Sequence, residues 1–222
     1  MKNFTKLLLV VMVSFLSFES FAQTFRIIGG LNLSNMLVKD EEDTYSDDFK
    51  MKPGFHIGAT VEFPLSNVLS LSTGLLIDTK GFTTKEEGQD WVTKEKLNLY
   101  YLDIPIVLKA ANEFDSGVKI FGLIGPYIGV GLSGKVKEEY EYQGQKETFE
   151  GDVEWGNDVN EDYLRRFDSG LTFGGGVEVK AILFGISYDL GLYNVLPDND
   201  YGIKMKNRVL KLSIGYRLGN VN

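Results

Sequence analysis

Apolar and polar residues alternate one for one in eight separate stretches of this chain, a period that makes β-strand the dominant element. The first sets Phe25, Ile27, Leu31 and Leu33 against Arg26, Gly30, Asn32 and Ser34. The second sets Phe55, Ile57, Ala59, Val61 and Phe63 against His56, Gly58, Thr60 and Glu62. The pattern recurs over 69–80, 100–109, 119–132, 171–179, 184–192 and 210–218. An even number of antiparallel strands can close on itself.

Alternation alone does not say which face meets water, but two further features do. Connections alternate in length. Segments 35–53, 81–95 and 134–166 and a loop around Pro197 are long, whereas 64–67, 112–117 and a turn near Ala181 are short. Short turns on one rim and long loops on the other characterise outer-membrane barrels. The polar faces also carry Gly30, Gly58, Gly74, Gly129, Gly131, Gly174, Gly176, Gly185, Gly191 and Gly215. Glycine weakens a strand, and a solvated face has no need of it. The narrow lumen of an eight-stranded barrel does. The sequence therefore predicts an all-β protein: an eight-stranded antiparallel up-and-down transmembrane β-barrel, polar face inward, with short periplasmic turns and long outer loops. A secreted soluble β-barrel binding an apolar ligand, or a small porin, is the alternative.

The inward positions carry seven basic residues (Arg26, Lys80, Lys109, Lys119, Lys180, Lys211, Arg217) and six acidic ones (Glu62, Asp78, Asp103, Asp168, Glu178, Asp189). Near balance predicts a lumen plugged by ion pairs rather than an open channel. Pro105 and Pro126 fall inside the fourth and fifth stretches, where each is expected to mark a bulge or an irregular pairing.

At the N-terminus, Lys2 and Lys6 precede an apolar run over 7–18, followed by Ser20-Phe21-Ala22 and Gln23. This is the pattern of a signal peptide, cleaved after Ala22. The run is too short for a bilayer core that takes about 20 residues. The expected organisation is a signal peptide over 1–22 and an outer-membrane barrel domain over 23–222. No later segment offers a transmembrane helix. The chain has no cysteine, which excludes disulfides, thiolate metal sites and a lipid anchor on cysteine. With 23 Lys and Arg against 31 Asp and Glu, for a net charge of -8, nucleic acid is not an expected partner.

Few residues suggest chemistry. Gly129-Val-Gly-Leu-Ser-Gly134 matches a dinucleotide fingerprint by letter, but that site needs a parallel strand leading into a helix. His56 is the only histidine, with Ser34 or Ser46 as hydroxyl candidates and Asp47 and Asp48 near in sequence. No nucleophile motif accompanies them. The sequence thus predicts no enzyme, with no catalytic, cofactor-binding or metal residues and no cofactor. The loops are acidic: Asp40, Glu41, Glu42, Asp43, Asp47 and Asp48 in the first, ten carboxylates between Glu138 and Asp162 in the third, and Asp198 and Asp200 in the fourth. Such clusters offer oxygen ligands to divalent cations or to cation-bridged lipopolysaccharide. Trp91 and Trp155 fall in long loops, as recognition anchors, interfacial girdle residues or loop-packing residues.

Several segments resemble the PorT-like family of outer-membrane β-barrel proteins: Gly29-Gly-Leu-Asn-Leu-Ser-Asn-Met36, Pro53-Gly-Phe-His-Ile-Gly58, Tyr101-Leu-Asp-Ile-Pro-Ile-Val-Leu-Lys109, Gly125-Pro-Tyr127, Phe167-Asp-Ser-Gly170 with Gly174-Gly-Gly-Val-Glu178, and Ile214-Gly-Tyr-Arg217. Both strand prolines lie inside them. The resemblance implies a cell outer-membrane barrel with a structural, adaptor or secretion-associated envelope role. Its expected partners are outer-membrane lipid, lipopolysaccharide and other envelope or secretion proteins.

Overall fold

A computed structural model describes residues 23–40, 50–158, 161–197 and 202–218. The segment read as a signal peptide and most of the first acidic loop lie outside them, as do Asp198 and Asp200. Ten strands follow in order: β1 (Thr24–Lys39), β2 (Lys52–Pro64), β3 (Leu69–Lys80), β4 (Thr83–Glu87), β5 (Trp91–Glu113), β6 (Val118–Tyr142), β7 (Gln145–Asp152), β8 (Phe167–Val179), β9 (Ile182–Gly191) and β10 (Lys204–Leu218).

Eight of them close a ring. Sequential antiparallel pairings run β1–β2–β3–β5–β6–β8–β9–β10, and β10 returns to β1. The register fixes the barrel's shape. Starting at Phe63, paired residues run Leu71, Leu108, Ile124, Phe173, Tyr188, Leu210, Leu33 and back to β2 at Pro53, ten positions from the start. A stagger of ten on eight strands tilts them by about 41° and gives a backbone radius of about 8 Å, from a 3.3 Å rise and a 4.8 Å strand spacing. Side chains can fill a bore of that size.

The faces fall as the alternation requires. Asn32, Ser34, Asp78, Lys80 and Asp168 are wholly buried inside, whereas Leu31, Ile57, Leu75 and Ile124 are more than half exposed outside. Close to the short turns, Phe25, Phe184 and Tyr216 face outward. Near the other rim Phe55 and Tyr100 do so, their rings 6.4 Å apart. Tyr188 sits mid-span, away from both rims, its ring 5.6 Å from that of Phe173.

Two long loops are sheet rather than coil. β4 folds back on β5, and β7 on β6 through Gln143 and Gly144, both at positive φ as a two-residue type I′ hairpin turn requires. With β5 and β6 continuing beyond the ring, β4 to β7 form a four-stranded extension on the outer side. The prolines mark irregular pairing rather than a bulge. Register carries through unchanged from Pro105–Tyr127 to Leu108–Ile124, but the β5–β6 ladder is interrupted between those pairs, at Pro126, and the β3–β5 ladder between Thr73–Ile106 and Leu76–Asp103, at Pro105. The bulge lies at Tyr100 and Tyr101, opposite Ser133 and Gly131, where the extra residue of β6 shifts its facing by one. This is where the strands leave the ring.

Candidate functional site

The lumen is built in layers. At the outer mouth a hydrophobic cluster joins Met36 and Val38 of β1, Leu97 and Leu99 of β5, and Val153, Leu164 and Val195 from the long connections. The chain after β7 thus folds back into the mouth. Gly131 makes room for it, since a Cβ there would lie 2.5 Å from the Trp155 ring. Trp155 packs edge-on to Tyr101 at 5.8 Å and is no exposed anchor.

Below this plug lies a first ionic layer. Lys80 pairs with Asp103 at 2.9 Å and Asp168 at 2.8 Å, its ammonium between the rings of Tyr101 and Tyr127 at 4.5 and 4.6 Å. Lys211 pairs with Asp78 and with Asp189 at 2.6 Å. Neutral donors add to these pairs: Thr172 donates to the other oxygen of Asp189 at 2.7 Å, while Asn207 at 3.0 Å and Tyr127 at 3.2 Å donate to the same Asp168 Oδ2 that Lys80 meets. Oxygens of Asp78, Asp103 and Asp189 approach one another closely enough to hold a cation, but each carboxylate already meets a lysine ammonium. The site is built around lysine.

A second ionic layer closes the periplasmic end. Arg26 bridges Glu62 and Glu178, each at 2.7 Å, and Lys109 bridges the same pair at 3.0 and 3.4 Å. The two ionic layers therefore hold the six predicted carboxylates around four buried cations, each spanning two acids, while a further buried cation, Lys52, donates to the Lys80 carbonyl at 3.2 Å. Of the other three predicted bases, Lys119 pairs with Glu113 at the rim, Lys180 occupies the β8–β9 turn, and Arg217 lies 4.0 Å from Glu178. The strict seven-to-six balance is thus corrected: hydroxyl and amide donors supply what the missing cations do not.

Between the two layers lies a chamber of about 110 Å³ with walls that include Leu76, Val107, Phe121 and Leu183. His56 and Ser213 face it. Ser34, named beside His56 from sequence, instead donates to the Lys52 carbonyl at 3.4 Å, and Ser46, Asp47 and Asp48 lie outside the described residues. The hydroxyl on His56 is that of Ser213, at 3.0 Å to Nε2 and 157 positions along the chain. Ring closure brings it there, since Gly30 pairs with His56 on one side and Ser213 on the other. The residues 129–134 run inside β6, antiparallel to β5, so no dinucleotide loop forms.

Outside the ring, β5, β6 and β7 turn one face to solvent. Trp91 pairs with Tyr142, Thr93 with Tyr140 and Glu138 with Phe149, so Trp91, Tyr140, Tyr142 and Phe149 share a side, and all four are exposed. Acidic groups there are paired locally rather than converging. Glu139 meets Lys146 at 2.8 Å and Lys137 at 3.2 Å, contacts that hold its carboxyl down at about 2. Tyr163 donates to Glu95 at 3.3 Å; burial first, then the Glu95 charge, pushes the phenol up to about 12. Burial and the nearby Glu138 raise the Glu95 carboxyl above its ordinary range.

The sequence model of the outer membrane protein beta-barrel domain matches residues 21–196. The chain belongs to that family. It is accordingly a β-barrel of the outer membrane, with the polar face of this family member turned into its lumen. Among solved structures, the attachment invasion locus protein Ail of Yersinia pestis is similar at 17% identity, over 88% of this chain and 98% of that one, with a TM-score of 0.32. OprG from Pseudomonas aeruginosa is similar at 12% identity over 90% and 98%, TM-score 0.45. Neisserial surface protein A is similar at 13% identity over 87% and 95%, TM-score 0.36. No curated protein sequence matches the chain.

Proposed function

We propose that this barrel is a non-conducting surface scaffold that presents its external β-sheet to another envelope protein. The observation that carries the reading is the aromatic face of Trp91, Tyr140, Tyr142 and Phe149, raised on strands that continue past the ring. From Tyr100 at the outer girdle to Trp91 is nine positions of β5, about 30 Å along the strand. Aromatic residues are enriched where proteins bind one another. The sealed lumen fits the same role, because the hydrophobic plug and both ionic layers obstruct passage. This surface role uses no catalytic step.

In this reading a signal peptide over 1–22 directs export. The acidic loops meet lipopolysaccharide through bridging divalent cations, and the PorT-like resemblance makes a secretion component one candidate partner. A photo-crosslinking residue at position 149 in living cells is expected to capture a defined envelope protein, while one at the lipid-facing position 124 does not. Loss of that difference contradicts the adaptor role. Planar bilayers carrying the purified barrel are expected to show no single-channel steps; a steady conductance would favour the porin alternative.

A further inference from the structure

We propose that the lumen chamber is a second functional site, a serine acyl-transfer centre in which Ser213 is the nucleophile, His56 the general base and Asn32 the positioning residue, acting on small neutral acyl esters. The inference goes beyond the surface role and is independent of it.

The proton positions follow from the hydrogen bonds. The Asn32 Nδ2 faces three oxygens, the carbonyls of Phe55 and Thr79 and the Asp78 carboxylate. An amide nitrogen has only donors, so Oδ1 must point the other way, and it meets His56 Nδ1 at 2.7 Å. Because Oδ1 only accepts, Nδ1 carries the ring proton and Nε2 is bare. Ser213 Oγ, at 3.0 Å from Nε2, must then be the donor. This is the ground-state arrangement of an activated serine: nucleophile on base, base held by a third group. Asp78 accepts from Asn32 behind it and so helps hold the amide in place, its charge matched by the Lys211 ammonium.

Reach and space agree with the chemistry. His56 and Ser213 sit on strands separated by β1, and only the absence of a side chain at Gly30 lets them meet: a Cβ there would lie 2.9 Å from imidazole Cε1. Both line the chamber, whose apolar wall of Leu76, Val107, Phe121 and Leu183 fits a short acyl chain. Lys211, two positions from Ser213 on the same inward face, also lines it, its ammonium held between Asp78 and Asp189. On the periplasmic side a second cavity shares Arg26, Glu62 and Lys109 with the chamber, so entry from the periplasm requires the ion pairs of that single layer to part.

In the reaction, Ser213 Oγ bonds to the acyl carbon as its proton passes to His56 Nε2. The ester C–O bond then breaks, and Nε2 returns that proton to the departing alkoxide oxygen, releasing the alcohol. Water repeats the sequence: its oxygen bonds to the acyl carbon as its proton goes to Nε2, the bond from the acyl carbon to Ser213 Oγ breaks, Nε2 returns the proton to Oγ, and the carboxylic acid leaves.

The test uses the full mature barrel in detergent micelles, with the gel shift on boiling as the check that each variant is folded. Treated with diisopropyl fluorophosphate, the protein is expected to gain one adduct, mapped to Ser213 by peptide mass, and to hydrolyse p-nitrophenyl butyrate until it is labelled. Ser213→Ala is expected to abolish both, and His56→Gln to slow labelling roughly a hundredfold or more, the share a general base supplies. Asn32→Ala is expected to slow labelling and displace its pH profile, whereas Ser34→Ala leaves rate and profile unchanged. A folded barrel with no adduct, an adduct that survives Ser213→Ala, or labelling indifferent to His56 overturns the proposal.

Discussion

Lys80 and Asp168 stand 88 positions apart in the chain and meet in the lumen at 2.8 Å, with neither side chain exposed. Lys80 also holds Asp103, so one ammonium joins β3, β5 and β8 across the bore. Removing it leaves two carboxylates facing each other without a counterion. Breaking a buried pair from one side costs about 3–5 kcal/mol. Lys80→Met is expected to lose stability on that order in urea unfolding of the reconstituted barrel followed by tryptophan fluorescence, and adding Asp168→Asn is expected to restore part of it. An unchanged midpoint for Lys80→Met would contradict the ionic layer.

Ile124 lies on the outer face midway along the ring portion of β6 and is 59% exposed. A charge there meets hydrocarbon rather than water. Ile124→Arg is expected to destabilise the folded barrel by about 2–4 kcal/mol in vesicles, and Val118→Arg, at the periplasmic end of the same strand, by about 0–1 kcal/mol. Equal effects at both depths would mean that this face does not line the bilayer.

Gly30 and Gly122 separate two uses of glycine. A Cβ at Gly30 would press on the Leu212 carbonyl and the His56 ring, whereas at Gly122 the nearest atom is the Gly174 carbonyl oxygen at 3.8 Å. Gly30→Ala is expected to cost about 1–3 kcal/mol, as overpacking does, and Gly122→Ala to be close to neutral. Parallel unfolding curves of the two variants make the comparison.

The external sheet carries its own pH dependence. Burial and Glu138 raise the Glu95 carboxyl in the folded sheet above its unfolded value, so ionised Glu95 opposes folding. That opposition is complete above the folded pKa, declines as pH falls through it, and is gone below the unfolded value near 4.3. Glu139 behaves oppositely, but its favourable pairing is lost only as pH falls from the unfolded value toward about 2. Above the ordinary carboxyl range the Glu139 pairing adds no pH dependence, so there the Glu95 effect stands alone. Protease cleavage of the outer sheet on intact cells is expected to slow as pH falls from neutral through the raised pKa of Glu95, and Glu95→Gln to remove the trend.

How much of this was legible in sequence depended on how local the cause was. Alternation such as Phe55, Ile57, Ala59 against His56, Gly58, Thr60 is written residue by residue, and it identified the ring strands and their facing. The chain folding into the mouth was not legible, because Val153 and Trp155 carry no period that distinguishes packing into a lumen from exposure. Strands β4 and β7 are not legible because Thr83–Glu87 is polar on both faces, Gln145–Asp152 offers Phe149 as its single large apolar residue, and both pair only with strand ends that stand in water. The partner of His56 was missed for a topological reason. Ser213 lies opposite it only once the last strand pairs with the first, and the readable signal was Gly30, inward and between them.

A closed barrel with its polar face inside underlies every site described above. The most direct measurement is electrophoretic: protein extracted from outer membranes in mild detergent and run on a denaturing gel, unboiled beside boiled. A compact unboiled band that migrates faster and shifts on boiling is the expected result. A single band at one position under both conditions, from protein that never enters the membrane fraction, would contradict it.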